Sequence, residues 1–216
     1  MKRLILYDLD GTLVDTLEDI TISANAMLSQ LGLPAISRER ARRYIGRGVY
    51  QLVKDCLGTD DDKRIEQGLK RYRAHYHQHM LDHTHLYPHA KEILTHFNTR
   101  TQAVVTNKPN PYSAEILKAL GVADYFLRII TGDSEYPKKP DPTSLRAMLS
   151  LSGARAEEAV FIGDSHVDVQ TGRSAGIMTV GIQHGFAEDG ELIAAAPDLI
   201  VRDFEELLDI AIQQRW

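Results

Sequence analysis

Polar or charged side chains follow four stretches of this 216-residue chain that are typical of β-strands. Two aspartates follow the first stretch, a hydroxyl and an amide the second, and a lysine lies in a loop shortly after the third. Two more aspartates follow the fourth, so the set is Asp8, Asp10, Thr106, Asn107, Lys139, Asp164 and Asp168. In an open α/β sheet the ligand binds at the carboxyl ends of the strands, so these side chains are expected to share one crevice.

Carboxylates that converge in one crevice repel each other. At an effective dielectric constant near 20, two unit charges about 4 Å apart cost about 4 kcal/mol. Three aspartates therefore stay ionised together only beside a cation. Magnesium is the natural choice, because it prefers oxygen ligands and keeps positions open for water and phosphate.

The stretch from Leu4 to Leu13 organises the chain. Leu4 to Tyr7 is apolar without alternation, which is typical of a strand buried on both faces of a parallel sheet. Asp8 then opens a loop, and Gly11 permits a tight turn with positive φ. Asp-Gly alone would indicate only an ordinary turn.

Read as Asp8-x-Asp10-Gly11-Thr12, this stretch resembles the first motif of the haloacid dehalogenase superfamily. The other three polar strand ends match the remaining motifs of that superfamily in chain order. The resemblance covers nearly the whole chain and is strongest to the phosphoglycolate phosphatase-like members. It implies a hydrolase that works through an aspartyl-phosphate.

The resemblance assigns a role to each polar strand end. Asp8 would be the nucleophile, and Asp10 would protonate the leaving alkoxide and later deprotonate the attacking water. A Mg²⁺ ion would be held by the carboxylates of Asp8 and Asp164 and by the backbone carbonyl of Asp10, with Asp168 orienting these ligands. The phosphoryl group would meet three further side chains, namely Thr106, Asn107 and Lys139.

Apolar periodicity divides the rest of the chain into two kinds of segment. Helices are predicted at about 17–31, 37–45, 49–57 and 61–80, with no strand-like run between 15 and 82. From residue 87 onward, strands near 102–106, 127–131, 159–162, 177–180 and 199–201 alternate with helices. This alternation predicts an α/β fold, a doubly wound parallel (Rossmann-like) sheet, with an inserted all-helical cap domain. The catalytic core would comprise 1–14 and 83–216, and the cap 15–82.

The insert begins directly after the first motif, where this superfamily carries a helical cap. Its stretch Gly46-Arg47-Gly48 resembles a cap turn that faces the active site. Arg47 could then bind a substrate carboxylate in a bidentate pair, although a solvated arginine in a helix-to-helix turn is the plainer interpretation. Several histidines crowd residues 75–89, and whether they bind anything stays open.

Bulk composition excludes several classes of function. The net charge of −5, with basic residues spread along the chain, indicates neither a nucleic-acid nor a membrane partner. The single cysteine, Cys56, excludes an internal disulfide and fits a reducing compartment. The first apolar run is too short for a signal peptide, so we expect a cytoplasmic protein, either a monomer or a homodimer.

The expected function is a magnesium-dependent phosphatase that hydrolyses a small phosphomonoester, with 2-phosphoglycolate as the best guess. A phosphomutase of the β-phosphoglucomutase type shares every core motif and stays open, as does hydrolysis of pyrophosphate or nucleotides. A non-catalytic regulatory protein on this fold is disfavoured, because a binding module needs no nucleophile paired with an acid.

Overall fold

The computed structural model describes residues 1–216, apart from the side chain at position 189. The strands are β1 (Leu4–Tyr7), β2 (Val14–Asp15), β3 (His85–Leu86), β4 (Thr101–Val105), β5 (Arg128–Ile130), β6 (Ala159–Gly163), β7 (Met178–Ile182) and β8 (Leu199–Val201). The helices are α1 (Leu17–Gln30), α2 (Arg38–Arg42), α3 (Val49–Leu57), α4 (Asp62–His79), α5 (Ala90–His96), α6 (Tyr112–Ala119), α7 (Thr143–Ser152), α8 (His166–Ala175), α9 (Asp189–Ala195) and α10 (Phe204–Gln213).

Strand β1 lies inside a six-stranded parallel sheet with the order β5-β4-β1-β6-β7-β8. Its residues alternate between two apolar clusters: Ile5 and Tyr7 belong to one, and Leu4 and Leu6 to the other. All four side chains are fully buried. This confirms the predicted doubly wound α/β fold, because only a strand covered on both faces is apolar at every position.

The order of the strands determines where a crevice forms. After β1 the chain adds β4 and then β5 on one side, and it continues with β6, β7 and β8 on the other. The carboxyl ends of β4, β1 and β6 are therefore neighbours at the point where the winding changes direction. Ligands of open α/β sheets bind at such a point.

Helices α1 to α4 form the helical segment that the sequence predicts. They lie between β1 and β4, the first two strands of the six-stranded sheet in chain order. Buried residues of α1, such as Met27, and of α4, such as Tyr72, belong to one apolar cluster. Gly68 lets α4 approach α3 closely, since a Cβ at this position would come within 2.8 Å of Val53 Cγ1. The division of the chain into a core and a cap domain stays a prediction.

Two features of the fold were not predicted. Strands β2 and β3 pair antiparallel, with Val14 opposite Leu86 and Asp15 opposite His85. Two residues are too few to produce a recognisable alternation in the sequence. The short helix α9 was also missed. None of the described helices combines the length and the apolar composition that crossing a bilayer requires.

Candidate active site

The polar strand ends predicted from the sequence lie together at the carboxyl edge of the sheet. Asp8 follows β1 directly, Thr106 follows β4 and Asp164 follows β6, while Lys139 reaches them from the loop between β5 and α7. All four residues are buried. The sheet thus brings together residues that are more than 150 positions apart in the chain.

Lys139 lies between two of the carboxylates. Its Nζ is 2.8 Å from Asp8 Oδ1 and 2.6 Å from Asp168 Oδ1. Burial alone would lower the pKa of Lys139, but the charges of Asp168 and Asp8 outweigh burial and raise that pKa. The ammonium therefore stays charged and compensates part of the negative charge in the crevice.

Oxygen atoms of Asp8, Asp164 and Asp168 all lie within 4.8 Å of one another. Two donors fix the carboxylate of Asp164, because Thr12 Oγ1 binds its Oδ1 and the Phe186 backbone N–H binds its Oδ2, both at 2.7 Å. Ser165 fixes Asp168 by donating from its hydroxyl at 2.6 Å. Among the described residues, no donor meets the buried Asp8 Oδ1 with hydrogen-bond geometry, although Lys139 lies close. A buried oxygen cluster of this kind could hold a hard divalent cation.

The acidic cluster carries more negative charge than one lysine can neutralise. Burial raises the pKa of Asp164 to about 8, and the neighbouring charges of Asp168 and Asp8 add to the effect. Burial also raises the pKa of Asp8 to about 6, despite the opposing charge of Lys139. Both shifts have the sign expected for carboxylates that require a cation partner.

Gly11 permits the close approach of the first loop to Asp164. Its φ is +84°, a conformation that residues with a side chain rarely adopt. A Cβ at this position would overlap the Asp164 carboxylate. The glycine after Asp10 is therefore required both by the turn and by the space beside the cluster.

Asp10 has a different set of partners from Asp8. Its Oδ1 accepts a hydrogen bond from Thr16 Oγ1 at 2.7 Å, and Lys108 Nζ lies 2.9 Å from Oδ1 and 3.2 Å from Oδ2. The same ammonium donates to the Tyr76 hydroxyl at 2.7 Å. The sequence interpretation missed Thr16, Tyr76 and Lys108, although Lys108 directly follows Asn107 at a predicted strand end.

Two cavities meet at Asp8 and Asp10. The smaller, of about 50 Å³, lies under the helical segment and is lined mainly by apolar and aromatic side chains. The larger, of about 550 Å³, extends past Asp164 and is lined by polar groups, including Arg42 and Arg47. A substrate at Asp8 would therefore contact both the sheet edge and the helical segment.

The structure gives the Asn107 side chain a supporting position. Its Oδ1 accepts from the Lys139 backbone N–H at 2.9 Å, and its Nδ2 donates to the carbonyls of Gly46 at 2.9 Å and Lys139 at 3.1 Å. The amide therefore holds the loop that carries Lys139. The predicted contact between Asn107 and a phosphoryl group stays a prediction, as does that of Thr106, which lines the smaller cavity.

Arg47 lines the larger cavity and already has an acidic partner. Its Nη2 is 2.9 Å from Asp55 Oδ2, and half of its side chain is exposed. Its role as a substrate contact stays a prediction.

Three of the crowded histidines have polar partners within the protein. His75 Nδ1 is 3.0 Å from Ser23 Oγ, His79 Nδ1 is 2.8 Å from Asp82, and His83 Nδ1 is 2.9 Å from the buried Asp19. Among the described residues, the group that could hold a metal ion is the aspartate cluster, and it includes no histidine.

A family model described as haloacid dehalogenase-like hydrolase matches residues 5–182. The chain belongs to this family. A phosphoglycolate phosphatase from Vibrio parahaemolyticus is 33% identical, and the match covers 96% of this chain and 95% of that protein. Another, from Neisseria meningitidis, is 34% identical over 95% of this chain and 92% of its own length.

Solved structures agree with the sequence comparison. The crystal structure of a predicted phosphoglycolate phosphatase from Haemophilus somnus superposes with a TM-score of 0.92 at 29% identity, covering 97% of this chain and 98% of that one. The resemblance drawn from the four motifs is therefore confirmed. Together these relatives indicate that this chain is a phosphatase.

Proposed function

We propose that this protein hydrolyses a small phosphomonoester, with 2-phosphoglycolate as the substrate, through a phosphorylated Asp8. The observation that carries the proposal is the buried Asp8 carboxylate, which lies 2.8 Å from Lys139 and within 4.8 Å of Asp164 at the floor of two cavities. The relatives' activity on phosphoglycolate supports the choice of substrate.

The residues present fit a Mg²⁺ ion. The carboxylates of Asp8 and Asp164 and the backbone carbonyl of Asp10 would hold it, while Asp168 orients its neighbours through Lys139 and Ser165. When bound, the ion would neutralise the carboxylates and part of the charge of the phosphoryl group. The buried Asp8 Oδ1 and the raised pKa values of Asp8 and Asp164 support a cation at this position.

The first half of the reaction transfers the phosphoryl group to Asp8. A carboxylate oxygen of Asp8 attacks phosphorus in line, and the bond between phosphorus and the ester oxygen breaks. Lys139 and the Thr106 hydroxyl would contact the phosphoryl oxygens, whose charge develops in the transition state. Asp10 would give its proton to the leaving alkoxide, a contribution that is typically about 10² to 10⁴ in rate.

The second half of the reaction returns Asp8 to its starting state. Asp10, now ionised, would take a proton from water, and the resulting hydroxide attacks phosphorus. The bond between phosphorus and Asp8 breaks and phosphate leaves. The helices between 15 and 82 would act as the cap, which limits access of bulk water to this step.

A panel of phosphate esters assayed for released phosphate tests the proposal. We place the leaving group in the smaller cavity, which measures about 50 Å³, and therefore expect turnover of 2-phosphoglycolate with Mg²⁺ and much lower turnover of hexose phosphates. A protein that releases no phosphate from any ester would contradict the proposal. Conversion of one hexose phosphate to its isomer would instead identify a phosphomutase. A cytoplasmic location and the choice between monomer and homodimer stay predictions from the sequence.

A further inference from the structure

The smaller cavity beside Asp10 has an unusual charge distribution. Most of its lining is apolar or aromatic, with Val49, Leu52, Tyr72 and Tyr112 among its side chains. Among the described residues that line it, Lys108 is the one cation, and the carboxylates are those of Asp8 and Asp10. An anionic part of a substrate that entered this cavity would be repelled by both aspartates, and Lys108 is the cation in the lining that could bind it.

Lys108 is buried, and its ammonium is held in place by three contacts. It pairs with Asp10, donates to the Tyr76 hydroxyl, and lies 4.7 Å from the centre of the Tyr76 ring. Only 5% of its side chain is exposed, so water contributes little to solvating the charge. A charged hydrogen bond made in such a place is strong, because the local dielectric constant is low.

The other cations near the crevice have different partners. Lys139 is shared by Asp8 and Asp168, and it belongs to the phosphoryl side of the site. Arg47 pairs with Asp55 and lines the larger cavity. Among the described residues that line the smaller cavity, Lys108 is therefore the cation beside Asp10.

We propose that Lys108 determines the substrate class by binding a second anionic group, the carboxylate of a small phosphorylated acid. This inference rests on the proposed phosphatase function and adds the residue that selects the substrate. When the substrate carboxylate takes over the hydrogen bonds of Lys108, Asp10 exchanges its ammonium partner for the leaving-group oxygen. Substrate binding thereby positions the Asp10 carboxyl group beside the leaving-group oxygen.

Lys108→Met tests the proposal, because methionine keeps the side chain as far as Cε and removes only the charged ammonium. The two substrates are 2-phosphoglycolate and ethyl phosphate, which has a two-carbon leaving group without a carboxylate. We expect kcat/KM for 2-phosphoglycolate to fall about 10- to 100-fold further than kcat/KM for ethyl phosphate, the range of one hydrogen bond to a charged group. Lys108→Arg keeps the charge and should restore most of the preference.

Two further variants act as comparisons. Lys118→Met makes the same change at an exposed lysine outside the lining of either cavity and should leave the preference unchanged. Arg47→Met removes the alternative cation. If Arg47→Met abolishes the preference and Lys108→Met does not, the proposal is wrong.

The remaining outcomes separate this inference from the proposed function. If Lys108→Met lowers kcat/KM equally for both substrates, Lys108 acts only on Asp10 and the inference is wrong. The wild-type protein decides the matter even if Lys108→Met does not fold: equal kcat/KM for the two esters overturns the inference and leaves the phosphatase intact. Failure to hydrolyse either ester would overturn the proposed function itself.

Discussion

Asp8 and Asp10 are two residues apart, yet the fold gives them opposite surroundings. Asp8 faces Lys139 and the acidic cluster, whereas Asp10 faces Lys108, Thr16 and the helical segment. A carboxylate beside the proposed cation site is suited to attack phosphorus. One on the leaving-group side is suited to transfer a proton.

Asp8→Asn should abolish turnover and leave the fold intact. The amide has the shape of the carboxylate but is a poor nucleophile, and it removes one charge from a crowded cluster. We expect less than about a thousandth of the wild-type rate, measured as phosphate released from 2-phosphoglycolate, together with an unchanged circular dichroism spectrum. Asp124→Asn makes the same change at an exposed position and should retain full activity. If Asp8→Asn retains more turnover than this, Asp8 is not the nucleophile.

One set of contacts connects helix α2 to the acidic cluster. Arg42 at the end of α2 donates to the carbonyls of Gly185, Phe186 and Ala187, at distances from 2.6 to 2.9 Å. The Phe186 N–H in turn donates to Asp164 Oδ2. The helical segment thus supports a loop that fixes one of the proposed metal ligands.

Arg42→Met should weaken Mg²⁺ binding. Loss of the three hydrogen bonds frees the loop at 185–187, and a less fixed Asp164 binds the ion less tightly. Substitution of a residue that supports a metal ligand typically lowers metal affinity about 10- to 100-fold. Because Arg42 acts on Asp164 only through the loop, we expect a loss of about 10-fold. The measurement is the Mg²⁺ concentration that gives half-maximal activity. Arg40→Met, at an exposed position of the same helix outside both cavities, is the matched control. An unchanged Mg²⁺ requirement in Arg42→Met would disprove this coupling.

Sequence patterns predicted the larger elements well and the short ones poorly. The predicted helix 49–57 matches α3, because Leu52, Val53 and Cys56 repeat with helical spacing and Gly58 ends the helix. The pairing of β2 with β3 could not be predicted, because it depends on where the chain returns from the helical segment. The proposed role of Lys108 could not be predicted from the sequence for a similar reason. A lysine is usually solvated, and only the packing of α4 places Tyr76 beside it.

The acidic cluster should make the stability of the protein depend on pH and on Mg²⁺. The pKa values of Asp8, about 6, and Asp164, about 8, lie above the value near 3.8 of an unperturbed aspartate. The folded metal-free protein therefore binds protons that the unfolded chain has released. This contribution is fully present below pH 4 and is lost as the pH rises through 6 and 8.

The melting temperature of the protein in EDTA should therefore fall as the pH is raised from 6 to 8. The loss is on the order of 2 kcal/mol in the free energy of unfolding. Excess Mg²⁺ should remove most of this slope, because the ion stabilises the carboxylates in their charged form. Asp164→Asn should show a smaller slope in EDTA. A metal-free melting temperature that stays constant or rises over this range would contradict the raised pKa values.

Chelation should also abolish activity. EDTA is expected to stop phosphate release, and added Mg²⁺ should restore it, because the proposed ligands cannot stay ionised together without the ion. Hydrolysis that resists EDTA would argue against the metal.

The pairing of Val14 with Leu86 places the two chain crossings between sheet and helices side by side. The polypeptide therefore leaves the six-stranded sheet and returns to it at neighbouring positions. Helices of another number or length could be inserted between these two positions without changing the order of the strands. A fold built in this way could exchange its helical segment and keep the acidic cluster at the sheet edge unchanged.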